Sequence, residues 1–296
     1  KTSTKKFLMV NYKSIKLSPG LYFVSTPIGS ARDITLRALD ILASADVLAA
    51  EDTRTLKKLL EIHGIQLKNR SLISYHDHNG SKARPRLLAH LEQGKSIAYA
   101  SEAGTPLIAD PGFSLLTEVL SAENNVISAP GPCALIAALT VAGLPTDRFS
   151  FEGFLPNNKS QRELKLRDLQ SYRGTLIFYE SAKRLSETLL KSAEVLGEDR
   201  QAVVCREITK KFEDIQRGSL KKLSEFYRDK NIKGEIVLLI SGATDNVVDW
   251  SKVEQQLKDA LKSMSVKDSA ESVALALNVS RRDVYQLALK IKSHGE

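Results

Sequence analysis

Three short segments rich in proline and glycine each follow a brief apolar run: Ser25-Thr-Pro-Ile-Gly29, Ser101-Glu-Ala-Gly-Thr-Pro106 with Asp110-Pro-Gly112 close behind, and Ala129-Pro-Gly-Pro132. Such residues suit recognition by main chain. Gly104 and Gly131 let backbone approach a ligand, while Pro27, Pro106, Pro130 and Pro132 fix the shape of the loops. In open α/β sheets ligands bind outside the carboxyl ends of strands, so three loops at such ends would converge on one crevice. Taken singly, each loop also reads as an ordinary tight turn. His76-Asp-His78 with Asn79 follows another apolar run and could hold a metal or move a proton, although a loop that orders its own backbone is the plainer reading.

Other chemistries are excluded by spacing. No two of the sixteen glycines lie closer than eight positions apart, so neither the G-x-G-x-x-G dinucleotide loop nor the G-x-x-x-x-G-K-[ST] phosphate loop occurs. H-E-x-x-H and the Gly-x-Ser-x-Gly nucleophile elbow are absent too. The two cysteines, Cys133 and Cys205, cannot make a four-cysteine zinc site, and no metal site is expected. Their scarcity fits a reducing compartment, the cytoplasm.

The elements that must position these loops follow from periodicity. Candidate strands at Leu21–Ser25, Asp46–Ala50, Ser71–Tyr75, Ser96–Ala100 and Val126–Ala129 alternate with helix-period segments at Thr35–Ala45, Thr53–His63, Ser81–Glu92, Phe113–Ala122 and Cys133–Ala142. This alternation predicts a mostly parallel sheet covered by helices. Turn formers at Gly143–Asp147 mark a boundary. Beyond it, strands are predicted at Phe149–Phe154, Thr175–Tyr179, Gln201–Glu207, Phe212–Arg217 and Glu235–Ile240, and helices at Lys159–Ser171, Ala182–Ala193 and Leu220–Arg228. Adjacent strands near 201–217 suggest an antiparallel pair in a mixed sheet. Helices near Lys252–Ser263, Ser269–Leu277 and Arg281–Lys292 close the chain; Ser280 and Asp283 have capping-box spacing. The expected organisation is therefore a basic tail, disordered or loosely attached, at 1–18, α/β domains at 19–145 and 146–244, and a helix-turn-helix-like module at 250–296.

Length and charge agree with that division. The 296 residues, 42% of them hydrophobic and 26% charged, describe a globular chain rather than a disordered or fibrous one. No apolar run approaches the roughly 18–20 residues of a membrane span, so no membrane partner is expected. The stretch Lys1–Ser18 carries five lysines and no acid, and lacks the unbroken apolar core of a signal peptide. A net charge of +8 favours a polyanionic partner.

Read together, Thr26-Pro-Ile-Gly29, Asp33-Ile-Thr35, Glu51-Asp-Thr-Arg54, Ala103-Gly-Thr-Pro106 with Asp110-Pro-Gly112, Pro130-Gly-Pro-Cys-Ala134, Gly153-Phe-Leu-Pro156, Tyr179-Glu-Ser181 and Arg206-Glu-Ile-Thr-Lys210 resemble, in that order, the bacterial 16S ribosomal RNA cytidine 2′-O-ribose methyltransferases. The resemblance implies the tetrapyrrole-methylase fold, two α/β domains with an S-adenosylmethionine cleft between them. It also implies a homodimer acting on a cytidine of the decoding centre in 16S rRNA of the small ribosomal subunit. By resemblance, Pro27, Glu102, Ala103, Gly104, Thr105, Ile108, Cys133, Ala134, Tyr179 and Glu235 would line the cofactor. The family usually has Asp at the place of Glu102 and Asn-Leu at the place of Ser30-Ala31.

A ribose hydroxyl has a pKa far above 7, so a base or electrostatic helper is expected. Glu207 or Lys210 is the candidate, with Arg206 positioning phosphate. A strand through these residues would put Arg206, Ile208 and Lys210 on one face and Glu207 and Thr209 on the other, so both candidates serve one site only if the strand bends. Arg54, Lys159, Arg162, Lys183 and Arg184 are candidate phosphate contacts, as are Arg281 and Arg282 on the last helix. Two alternatives stay open: the same fold acting on a tetrapyrrole or other small acceptor, and a non-enzymatic nucleic-acid-binding protein working through its terminal helices.

Overall fold

A computed structural model describes residues 11–76, 78–243, 250–277 and 279–293. Its first half alternates β1 (Gly20–Val24), α1 (Leu36–Ser44), β2 (Val47–Ala50), α2 (Thr53–Ile62), β3 (Ser71–Ser74), α3 (Gly80–Glu92), β4 (Ser96–Ala100), α4 (Phe113–Ser121), β5 (Val126–Ala129) and α5 (Ala134–Ala142). The strands form one parallel sheet in the order β3-β2-β4-β1-β5. Strands β1, β2 and β4 are buried along their whole length, which is why they read as continuous apolar runs. Their side chains alternate between two cores: Tyr22, Val24, Leu48 and Ala98 pack with α1 and α2, and Leu21, Phe23, Val47 and Tyr99 with α3 and α4. From β1 the chain crosses β4 to reach β2, and from β4 it crosses β1 to reach β5. Adjacent strands β1 and β4 thus send their loops in opposite directions, which opens a crevice at their carboxyl ends. Thr35 caps α1 by accepting from the Ala38 N–H at 3.0 Å.

The second half contains β6 (Phe149–Phe154), α6 (Lys159–Asp168), β7 (Thr175–Ser181), α7 (Leu185–Leu196), β8 (Gln201–Arg206), β9 (Asp214–Ser219), α8 (Leu220–Tyr227) and β10 (Glu235–Ile240). Its sheet runs β6-β7-β10-β8-β9; β6 and β7 are parallel and the other pairs antiparallel, including the expected β8–β9 pair. Helix α7 starts at Leu185 rather than Ala182, because β7 stays paired with β10 through Ser181 opposite Glu235. Helices α6 to α8 cover one face of this sheet. The other face is covered by α5, whose Leu135, Ala138, Leu139 and Ala142 pack on Ile177, Val203, Cys205, Val237 and Leu239. The helix that follows the first sheet is therefore core to the second, and residues Lys1–Gly242 form one compact unit.

The basic stretch expected to be loosely attached is held down over residues 11–18. The Tyr12 hydroxyl donates to the Gly64 carbonyl at 3.0 Å, the Ile15 N–H donates to Ser44 Oγ at 3.0 Å, and Tyr12 and Leu17 pack on the first core. Residues 1–10 lie outside the described residues.

A second unit, Ala243–Glu296, contains α9 (Trp250–Ala260), α10 (Val266–Leu277) and α11 (Arg281–Ser293) around Val253, Leu257, Ala270, Val273, Val284 and Ala288. Ser280 Oγ accepts from the Asp283 N–H at 3.4 Å, one arm of the capping box. Among the described residues no helix is long and apolar enough to cross a membrane.

Candidate active site

The loops at the ends of β1, β4 and β5 meet. Thr26 and Gly104 exchange both backbone hydrogen bonds, at 2.9 and 3.0 Å, and so make a one-pair bridge between the first and second loops. Ser25 Oγ donates to Thr105 Oγ1 at 3.2 Å, and Thr105 Oγ1 donates to the Pro132 carbonyl at 2.9 Å, which ties in the third. Gly104 sits at φ +86°, and a Cβ there would lie 3.2 Å from Ile28 Cγ2. The left-handed backbone conformation favours glycine, and any Cβ would press on the Ile28 side chain.

The facing wall departs from the strand geometry expected for residues 206–210. Strand β8 ends at Arg206, and Glu207 and Thr209 adopt left-handed φ angles of 53° and 65°. That turn overrides strand alternation, so Glu207 and Lys210 come together instead of facing apart. Lys210 Nζ donates to Glu207 Oε1 at 2.9 Å and to Glu235 Oε2 at 2.7 Å, while Glu207 Oε1 also accepts the Glu235 N–H at 2.9 Å. The first loop abuts this turn: a Cβ on Gly29 would lie 2.5 Å from Thr209 Oγ1 and 2.6 Å from Lys210 Cγ. The Glu235 N–H, then the Lys210 ammonium, hold the Glu207 carboxyl below the usual range. Burial disfavours the Lys210 ammonium, but its bonds to Glu235 and Glu207 outweigh that and keep it charged. At neutral pH the pair is carboxylate and ammonium.

Between the walls lies a cleft of about 420 Å³. Glu102, Ala103, Gly104, Thr105, Ile108, Cys133, Ala134, Tyr179 and Glu235 line it; Pro27 does not, and its neighbour Ile28 does. Glu207 and Lys210 line it as well. Sequence reasoning passed over Glu51, Asp110, Phe154 and Val237, although the first three fall within the quoted motifs. Five carboxylates, Glu51, Glu102, Asp110, Glu207 and Glu235, line it with one cation, Lys210, so the interior suits a positively charged ligand; Glu180 reaches the lining too, but its carboxylate is turned away to Thr188 and Arg184. Asp110 shows the crowding: burial first, then the Glu51 charge, pushes its carboxyl up to about 6. The Glu102 backbone N–H donates to Glu51 Oε2 at 3.3 Å.

The candidate phosphate contacts divide. Arg54 and Lys159 have side chains 90% and 82% exposed, paired with Asp52 and Glu187, and Lys183 is exposed. Arg162 is corrected: its side chain is only 3% exposed and serves the loop after β6, donating to the carbonyls of Pro156 and Asn157 and pairing with Glu187. Arg184 does similar work, donating to the Leu155 and Pro156 carbonyls and to Asn157 Oδ1 and pairing with Glu180. Arg206 donates to the Lys233 carbonyl at 3.4 Å. Arg281, paired with Glu271, and Arg282 are exposed on the second unit. Asn79 orders the backbone on either side of His76, accepting the His76 N–H at 2.9 Å and donating to the Ser74 carbonyl at 3.1 Å; Asp77 of the His76-Asp-His78 candidate lies outside the described residues.

Comparison with known proteins agrees with this architecture. Residues 20–224 match the tetrapyrrole (corrin/porphyrin) methylases, and residues 247–292 match the RsmI C-terminal HTH domain. The chain is 44% identical over 283 residues to a Vibrio cholerae protein named ribosomal RNA small subunit methyltransferase I, covering 92% of this chain and 95% of that one. A Bacillus subtilis protein of the same name is 37% identical over 273 residues, covering 90% and 92%. Among solved structures, the cobalt precorrin-4 methyltransferase CbiF superposes with a TM-score of 0.58 at 18% identity, covering 75% of this chain and 94% of that one. A Thermus thermophilus uroporphyrin-III C-methyltransferase complexed with S-adenosylhomocysteine gives 0.53 at 17%, covering 75% and 97%. These two likenesses establish the shared fold. With curated relatives matched along nearly their whole length and both family segments present in order, the chain belongs to the tetrapyrrole (corrin/porphyrin) methylases and, within them, to the ribosomal RNA small subunit methyltransferase I family.

Proposed function

We propose that this protein transfers a methyl group from S-adenosylmethionine to the 2′-hydroxyl of a cytidine ribose in the decoding centre of 16S rRNA. The observation that carries the reading is the cleft itself, where glycine-built loops and five carboxylates surround the Lys210 ammonium. The residues fit the cofactor: Gly104 keeps open the space a Cβ would fill, and the carboxylates offset a donor cation. When bound, S-adenosylmethionine supplies an electrophilic methyl group on a sulfonium whose positive charge is lost in transfer.

The protein's part is alignment, exclusion of water and control of charge. Ile28, Ile108 and Val237 provide apolar lining, and Tyr179, edge-on to Phe151 at 4.8 Å, gives a fixed aromatic wall. Lys210 has two of its three ammonium hydrogens committed to Glu207 and Glu235. The third is left to donate to the acceptor oxygen and stabilise the charge that develops there, while the hydroxyl proton passes to the neighbouring Glu207 carboxylate as the S–CH3 bond breaks and the O–CH3 bond forms. Glu207 orients that ammonium. The basic charge of the chain and its helical second unit favour RNA over a small tetrapyrrole acceptor, and the lined cleft favours an enzyme over a simple RNA-binding protein. Action in the cytoplasm as a homodimer completes the reading.

Transfer of labelled methyl from S-adenosylmethionine to small ribosomal subunits lacking the modification, followed by nuclease digestion and mapping, tests it. A single 2′-O-methylcytidine is the expected product. Cofactor binding without transfer to subunits or free RNA would favour a small acceptor, and no cofactor binding would refute the methyltransferase reading.

A further inference from the structure

The segment Gly153-Phe-Leu-Pro156 does no work in the function above, yet the fold treats it with care. Strand β6 pairs with β7 in regular register from Phe149 opposite Thr175 to Phe151 opposite Ile177, and then slips, so that Phe154 stands opposite Tyr179. Three residues on β6 span two on β7, and Gly153 takes the extra step at φ +64°. In an unbroken strand Phe154 would point to the opposite face from Phe151. The bulge reverses this: both rings lie edge-on to Tyr179, at 4.8 and 5.8 Å between centroids.

The result is an aromatic side chain on the cleft lining that remains 57% exposed. An exposed phenyl ring costs apolar hydration, and here the loop beyond it is immobilised rather than left to fold over it. Arg162 and Arg184 donate to the carbonyls of residues 155, 156 and 157, and Arg184 in turn pairs with Glu180, itself 3% exposed and bonded to Thr188 at 2.7 Å. Two cations and a buried carboxylate thus hold a bare ring in place at a cleft otherwise dominated by acids. Acidic lining disfavours phosphate inside the cleft, so an RNA acceptor must enter by its uncharged parts, the ribose and base.

We propose that Phe154 is the stacking platform for the base of the acceptor nucleotide, which leaves its helix or stack so that its ribose reaches the methyl donor. This rests on the RNA methyltransferase reading above. Aromatic stacking contributes about 1–3 kcal/mol per base, so Phe154→Ala lowers kcat/KM for unmodified small subunits about 10- to 100-fold, mainly through KM. The dissociation constant of S-adenosylmethionine, measured by calorimetry on the same protein, stays within about twofold. Phe154→Trp retains transfer, and Phe154→Leu, apolar but without a π-face, behaves as Phe154→Ala. Full activity in Phe154→Leu would overturn the proposal by showing a merely apolar contact, and a parallel loss of cofactor affinity would overturn it by assigning the ring to the donor. Failure of the unsubstituted protein to methylate subunits at all would instead refute the function on which it rests.

Discussion

The wall of the cleft built by the parallel sheet keeps its shape through main chain and uncharged hydroxyls, in the Thr26–Gly104 bridge and the Ser25–Thr105–Pro132 relay, whereas the wall built by the mixed sheet keeps its shape through charged side chains, in the Lys210 cluster and the arginines that grip residues 155–157. Main-chain contacts hold a ligand's position without changing with pH or salt. Charged side chains can respond to the charge that a reaction moves. The division suggests that the first wall determines donor affinity and the second determines rate.

The largest test of that division is Lys210→Ala. If the ammonium stabilises developing charge on the acceptor oxygen, transfer falls about 10²- to 10⁴-fold while donor affinity changes only a few-fold. A loss confined to donor affinity would assign the second wall to binding and break the comparison. Gly104→Ala is the converse. The left-handed conformation costs an alanine about 1–2 kcal/mol, and the new Cβ presses on Ile28 at 3.2 Å, so donor affinity should fall about 10-fold or more, read by calorimetry, with kcat at saturating donor little changed.

Asp110 sharpens the comparison, since it is a charged side chain set in the main-chain wall. Its carboxyl, raised to about 6 from 3.8, keeps a proton in the fold that the unfolded chain has already given up. Native protein therefore binds more protons than unfolded protein between these values, stability falls as pH rises through them, and the full penalty stands above pH 6. Asp110→Asn should raise stability above pH 6, by at most about 3 kcal/mol, with the gain vanishing below pH 3.8. Donor affinity should move the other way, weaker in the variant above pH 6, because a cation has lost a carboxylate partner. Denaturant melts and calorimetry across that range separate the two effects.

How far the sequence foretells this arrangement also differs between the walls. Strands β4, β5, β6 and β10 occupy the predicted residues; β4 and β10 are buried and appear as short apolar runs, β5 and β6 are only partly covered, and the proline and glycine that shape the first wall announce their loops by residue type alone. The second wall leaves fainter traces. Nothing in Arg206-Glu-Ile-Thr-Lys210 signals that two non-glycine residues turn left-handed, yet that turn brings Glu207 and Lys210 together. Arg162 and Arg184 read as phosphate contacts because a basic surface and a buried clamp share a composition; only the fold shows which carbonyls they hold. Helix α5, apolar on nearly every side, gives no hint of which sheet it will cover. The bulge before Phe154 is marked by a single glycine.

The smallest effect concerns the rim of the first wall, where Arg54 carries an exposed positive charge beside an otherwise acidic lining. Its guanidinium pairs with Asp52 at 2.6 Å, but the arginine side chain is 90% exposed, and a pair so open to water adds little to stability. Arg54→Ala should therefore leave the thermal midpoint unchanged. Against small subunits the expectation differs, since an exposed cation over a phosphate acts through counterion release: affinity should drop a few-fold near physiological salt, and the slope of log K against log salt should fall by about 1. An unchanged slope would mean that the first wall meets only the donor and leaves RNA contact in this compact unit to the exposed lysines of the second half. A reduced slope would show that the acceptor spans both walls, with its phosphates on the basic rim and its ribose over the acidic floor.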